Sequence, residues 1–179
     1  MLKSQDILIL VHLSLSPGKW TYAQLAEALC MSASEVHAGI KRAELSRLFN
    51  PYEKEVNRRA FSELLRYGVP YVYPAEIGGK TRGIKTGYAA HPLCEIISQS
   101  QDLPPVWPWP RGNDVGYSFM PLFHSVPEAS QKNEALYECL TLIDALRGGQ
   151  ARERKMAMEL LEDRLFGFGT IPPVNPDTL

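Results

Sequence analysis

The chain has 179 residues, 45% of them hydrophobic and 22% charged, which excludes a disordered polymer and allows one domain with an appendage or two small ones. The formal net charge is −1, so the molecule as a whole is not a basic nucleic-acid binder. Residues 1–95 carry twelve Lys/Arg and nine Asp/Glu, whereas residues 96–179 carry seven and eleven, so a polyanionic partner is expected on the first half. Cys30, Cys94 and Cys139 are odd in number and outside any CxxC spacing, which excludes a disulfide framework and a zinc cluster and predicts free thiols.

In chain order, the apolar spacing of Ile7, Leu8, Leu10, Val11 and Leu15 predicts a first helix over Ser4–Leu15, ended by Ser16-Pro17-Gly18. The run from Ile7 to Leu15 is too short to span a bilayer and has no cleavage signature behind it, so a soluble cytoplasmic protein without a membrane partner is expected. Thr21 and Gln24 form a capping signal for a second helix, Tyr22–Leu29, with Leu25, Ala26 and Leu29 inward. Ser32 and Glu35 repeat the signal for a third helix over Ala33–Phe49, with Val36, Ile40, Ala43 and Leu48 inward and Asn50-Pro51 as its stop. A fourth helix is expected over 57–67, capped by Gly68. Strand formers at Val69–Tyr73 and Ile84–Ala89, separated by Gly78, Gly79 and Gly83, predict a β-hairpin with a flexible cationic tip.

Prolines 104, 105, 108 and 110 predict an irregular linker, covering 96–130, and argue against helix or central strand there. Within it, Trp107 and Trp109 are read as glue fixing the linker to the domain beneath. Helices over 134–147 and 151–166, joined at Gly148-Gly149, predict an antiparallel hairpin. Apolar stripes Leu136, Leu140, Ile143, Leu146 and Met156, Leu160, Leu161, Leu165 require a partner face, which is expected to be a second copy in a homodimer, another protein, or the N-terminal domain of the same chain. The tail from Gly167 holds three prolines and is expected to be loose. The domain division is thus 1–95, 96–130 and 131–179.

The segment from Tyr22 to Ile40, with Ala26 at the helix crossing and Leu25, Leu29, Val36 and Ile40 around it, resembles the helix-turn-helix of bacterial winged-helix regulators, loosely the MarR-like group. Residues 69–92 and 144–154 also look like those of bacterial helix-turn-helix proteins, so the resemblance covers most of the chain, although it implies no particular ligand or operator. It implies a mainly α fold with a small β-hairpin, a winged helix-turn-helix followed by a helical hairpin. It further implies sequence-specific binding of double-stranded DNA by a transcriptional regulator. Cys30 departs from the glycine usual in such turns, and is compatible with the turn only if its backbone stays out of the left-handed region.

Ser34, His37 and Lys41 on the outward face of the third helix can hydrogen-bond base edges, and Ala33 and Ala38 can approach thymine methyls. Ser32 and Arg42 flank that face, and Lys80, Arg82 and Lys85 at the expected wing tip suit phosphate or a narrow minor groove. Other chemistry finds less support. Gly79-Lys80-Thr81 ends like a phosphate-binding loop, but Pro74 stands where that loop needs glycine. His91 and Cys94 lack a second ligand pair, and no nucleophile–base order is present, so no catalytic residue, metal or cofactor is predicted. The competing reading is a protein-interaction module, such as an antitoxin-like partner of a neighbouring gene product.

Overall fold

The computed structural model describes residues 1–98 and 102–167. The tail expected to be loose lies outside the described residues from position 168 onward. The fold is mixed α/β, dominated by helix, with one two-stranded and one three-stranded set of strands.

Three helices open the chain: α1 (Ser4–Leu15), α2 (Tyr22–Leu29) and α3 (Ala33–Leu45). The first two have the expected bounds. The third stops four residues early, because Arg47 takes a left-handed backbone (φ 58°) and turns the chain into β1 (Phe49–Asn50). This strand pairs antiparallel with β2 (Glu55–Val56), Phe49 opposite Val56. The Asn50 side chain organises the intervening turn by accepting the Tyr52 and Glu53 N–H groups at 3.0 and 3.3 Å. A hairpin therefore follows α3 directly, where only a helix stop was expected.

α4 (Arg58–Tyr67) follows, with Asn57 as N-cap rather than first helical residue. Val69–Tyr73 is not a strand. Residues Val69–Val72 form a short helix, α5, in which Pro70 occupies the first turn, where a missing N–H costs nothing. The expected wing of residues 69–89 is thus absent. Gly78 and Gly79 are not a turn tip either, but lie within one strand, β3 (Ile77–Lys85), at an irregularity in its pairing with β5. Residues Gly87–Ala89 form a 3₁₀ turn, and α6 is Leu93–Ile96.

The proline-rich stretch is not purely irregular, as β4 (Pro105–Pro108) lies within it and pairs antiparallel with β3 and parallel with β5 (Asp114–Phe119). Each of these three strands pairs with the other two, which closes the set. Prolines fit because they act here as acceptors: the N–H groups of Tyr117 and Thr86 donate to the carbonyls of Pro104 and Pro105. So tight a closure requires glycine, since a Cβ at Gly83 or Gly116 would collide with the carbonyl oxygens of Trp107 or Pro104. Trp107 is buried, as glue should be, whereas Trp109 is half-buried under the Arg111 guanidinium.

α7 (Val126–Lys132), α8 (Glu134–Gly148) and α9 (Ala151–Phe166) complete the chain. α8 and α9 are the expected antiparallel pair. Leu136, Leu140, Ile143, Leu146, Leu161 and Leu165 are buried in the same core as Ile7–Val11 of α1. α8 and α9 pack against α1, so these six residues are covered within the chain, while Met156 and Leu160 are partly buried. Ile9 is buried alongside the expected stripe of α1, its side chain lying against Gly39 of α3.

At the base of α8, Asp144 and Arg147 are both buried and meet at 2.6 Å. Asp144 also accepts from the Thr86 hydroxyl at 2.7 Å and from the Trp107 indole N–H. Arg147 donates to the backbone carbonyls of Tyr73, Met120 and Pro74 at 2.7, 3.1 and 3.2 Å. Burial pushes the Asp144 carboxyl above the ordinary carboxylate range, and Arg147, Thr86 and Trp107 pull against it. Among the described residues, no helix is long and apolar enough to cross a membrane.

Candidate nucleic-acid interface

Both helices of the central pair begin with reciprocal caps. Thr21 Oγ1 accepts the Gln24 N–H at 3.2 Å, and Gln24 returns the bond at 2.9 Å. Ser32 and Glu35 do the same at 3.2 and 2.9 Å, and the Ser32 N–H, with the Ser32 hydroxyl at 2.8 Å, holds the Glu35 carboxyl below its usual range. The Ser32 hydroxyl is therefore engaged in the cap, 3.1 Å from Ser34 Oγ.

The turn between the helices does what its sequence discouraged. Cys30 adopts the left-handed conformation (φ 53°, ψ 45°), and Met31 N–H closes onto the Ala26 carbonyl at 3.0 Å. The left-handed turn geometry is kept without glycine, at a backbone cost of about 1–2 kcal/mol. Where α3 crosses α1, the small residue is Gly39: a Cβ there would collide with the Ile9 side chain and Asp6 Oδ1.

That close crossing brings Arg42 onto Asp6. Its Nε and Nη2 donate to the two carboxylate oxygens at 2.8 and 2.7 Å, and Asp6 also accepts the Lys3 N–H at 2.8 Å. Asp6 is fully buried and the Arg42 side chain is 18% exposed. Arg42 is thus a clip between α1 and α3, not an outward cation beside the exposed row of α3.

The other outward residues of α3 sit where the helical period puts them. Ala33, Ser34, His37, Ala38 and Lys41 are all exposed, and Val36, Gly39, Ile40 and Ala43 are buried. Lys41 lies at the surface with Glu44 at 2.9 Å, and that hydrogen bond raises its pKa.

A row of aromatic rings connects this face to the hairpin. His37 packs on Tyr22 with centroids 5.1 Å apart, Tyr22 meets Trp20 edge-on at 5.6 Å, and Trp20 packs on Phe49 of β1 at 6.1 Å. Lys54, at the end of the hairpin turn with φ 57°, places Nζ 5.9 Å from the Trp20 ring centroid. Arg47, Lys54, Arg58 and Arg59 are exposed around the hairpin. The sequence signal for this was present but spread out: a lone Trp20, a Pro51 turn and a Lys54 two residues after the exposed Tyr52.

The residues expected at a wing tip lie elsewhere. Lys80, Arg82 and Lys85 belong to β3 of the closed strand set. Lys80 and Arg82 are exposed, and Lys85 is ion-paired with Asp114 at 3.3 Å. α3 and β3 thus belong to different parts of the fold, and one hairpin does not unite them.

Comparison with protein-family models, with curated proteins and with solved structures finds no match to this chain.

Proposed function

We propose that this protein binds double-stranded DNA sequence-specifically, as a transcriptional regulator in the cytoplasm, with α3 in the major groove. On this reading the order α1, α2–turn–α3, β1–β2 is that of a winged helix, with residues 51–54 as the wing. Ser34, His37 and Lys41 read base edges, Ala33 and Ala38 admit thymine methyls, and Arg47, Lys54 and Arg58 meet phosphate. The observation that carries the reading is the polarity of α3. Ala33, Ser34, His37, Ala38 and Lys41 on its outward side are small or polar and exposed, with an exposed Leu45 at its end, while its inward row is locked against α1 and α2.

The test is fluorescence anisotropy of the full chain on duplex DNA selected from genomic fragments, at several salt concentrations. A His37→Ala, Lys41→Ala double variant is expected to lose about 1–3 kcal/mol per base contact and to relax sequence preference. Lys54→Ala is expected to lower affinity evenly across sequences and to flatten the salt dependence. Arg82→Ala, on β3, is expected to change neither. Binding that is unmoved by the α3 variants, or a selection that returns no preferred sequence, would sink the reading.

An interaction module is favoured by one observation of its own: Tyr67, Tyr71 and Val72, on the adjoining α4 and α5, are 71%, 73% and 61% exposed. Co-purification of a neighbour-encoded protein that is lost in Tyr67→Ser, Tyr71→Ser would support it.

A further inference from the structure

Like any helix, α2 ends with carbonyls that no later turn of its own satisfies. Two carbonyls of that last turn are met from the C-terminal half. The Ser125 hydroxyl donates to the Leu29 carbonyl, and Lys132 Nζ donates to the Glu27 carbonyl, both at 2.7 Å. These donors stand 96 and 105 positions further along the chain. They also mark the two ends of α7, Ser125 as its N-cap and Lys132 as its last residue. A serine at an N-cap ordinarily turns its hydroxyl onto its own helix, and here the hydroxyl is given to α2 instead. A lysine beside a helix C-terminus complements the partial negative charge there, and Lys132 does so for α2.

The link is anchored in the core. Ser125 is 3% exposed, Val126 and Ala129 of α7 belong to the common core, and α7 packs on both α8 and α2. α2 is only eight residues long and buries Leu25 and Leu29, so its position depends on what it packs against. Just before α7, the His124 ring packs on Phe123 with centroids 4.1 Å apart. After the Ser32 N–H and hydroxyl, a charge on that ring also favours the Glu35 carboxylate at the start of α3. Residues 123–132 thus hold the end of α2 and approach the start of α3, on either side of the turn.

The turn is one that needs such support. A residue other than glycine keeps a left-handed backbone only where its surroundings over-determine it. Cys30, at φ 53°, is flanked by the Met31 N–H bond to Ala26 from within the turn and by the two α7 donors from outside it.

We propose that α7 is a positioning element for α3: Ser125 and Lys132 fix the α2–α3 turn, and through it the angle at which the exposed row of α3 meets DNA. The inference rests on the DNA-binding reading and deepens it, because it puts a determinant of sequence preference outside the helix pair. Neither residue has to touch DNA. Side chains that read base edges must be held to within about 0.5 Å, whereas attraction to phosphate tolerates more, so a loosened turn loses preference before it loses non-specific binding.

Two measurements on the full chain test it. Amide hydrogen exchange followed by NMR reads the turn at Cys30 and Met31 and needs no DNA. Fluorescence anisotropy reads the ratio of affinities for the selected duplex and for a random one. The variants are Ser125→Ala and Lys132→Met, which keeps the stem and loses the donor. Ser62→Ala is the control, since it removes a different interhelix hydroxyl, bonded at 2.9 Å to Glu162 of α9. Circular dichroism confines the measurements to conditions where each variant is folded. Both α7 variants are expected to speed exchange at the turn about tenfold. They are expected to lower the affinity ratio about three- to tenfold, and Ser62→Ala to change neither quantity. Exchange at the turn that both α7 variants leave unmoved, or that Ser62→Ala moves equally, overturns the positioning role. Faster exchange with an unaltered affinity ratio overturns its bearing on DNA. A wild-type chain that selects no duplex sinks the DNA-binding reading, and the proposal falls with it whatever the exchange shows.

Discussion

Asp6–Arg42 in the N-terminal half and Asp144–Arg147 in the C-terminal half are both carboxylate–guanidinium pairs with a buried acid, yet they join different kinds of structure. Asp6–Arg42 links two regular helices, α1 and α3. The pair adds a tether at one crossing, and its arginine still reaches water. Asp144–Arg147 gathers segments with little regular structure: the chain after α5, the end of β3, the proline-rich β4 and the turn after β5. In the first half helices supply the order and the ion pair trims it. In the second half the ion pair supplies order that a short, proline-rich strand set cannot provide alone.

The largest effect should come from breaking the second pair. Arg147→Ala leaves Asp144 buried without its countercharge and three backbone carbonyls without their donor, which should cost about 3–5 kcal/mol. Urea denaturation followed by circular dichroism measures it, and a loss below that of Arg42→Ala would break the comparison. Arg42→Ala should cost less, about 2 kcal/mol, because water can enter its 18% exposed position and Lys3 still caps Asp6. On the proposed DNA-binding function, a clip that makes no contact with DNA leaves this variant's affinity unchanged wherever it remains folded.

A third effect is pH-dependent and lies on α1. Burial holds the His12 imidazole below its ordinary pKa of 6.5, and its Nδ1 has no hydrogen-bond partner among the described residues. The folded state thus disfavours the proton that the unfolded chain accepts. The contribution is present above about pH 6.5 and shrinks as pH falls toward the lowered value, by at most about 1.4 kcal/mol per pH unit. The denaturation midpoint should fall between pH 7 and 5, and His12→Leu should flatten that slope; parallel pH profiles would remove His12 from the account. The smallest effect belongs to the inter-helix turn. Cys30→Gly relieves the left-handed backbone but frees the unfolded chain, for a net gain of about 0.5 kcal/mol. A lower thermal midpoint in this variant would show that Cys30 is held by packing and not merely tolerated.

The same division separates what could be read in the sequence from what could not. The helices α1, α2, α8 and α9 were legible because caps and apolar spacing are local signals, and so was the exposed row of α3. Arg42 was misread because a cation near an outward face looks free until the residue opposite it, thirty-six positions earlier, is known. The 69–73 segment has strand-forming side chains, but Pro70 suits a first helical turn and tertiary packing decided the outcome. β4 was hidden by its prolines, which forbid donors but not acceptors. The true hairpin escaped notice because two residues per strand leave almost no periodicity to detect.

The burial of α1 on every side has a consequence for anyone who would re-engineer this molecule. Ile7, Leu8, Ile9, Leu10 and Val11 are each no more than 1% exposed, and α2, α3, α8 and α9 share the task of covering them. The α1–α4 segment is therefore not a cassette. Cut after Tyr67, it would carry α1 into water with the flank of α8 and α9 stripped away. Grafted onto another body, it would need a substitute for those two helices. Any change to the exposed row of α3 is therefore best made residue by residue, on an otherwise intact chain.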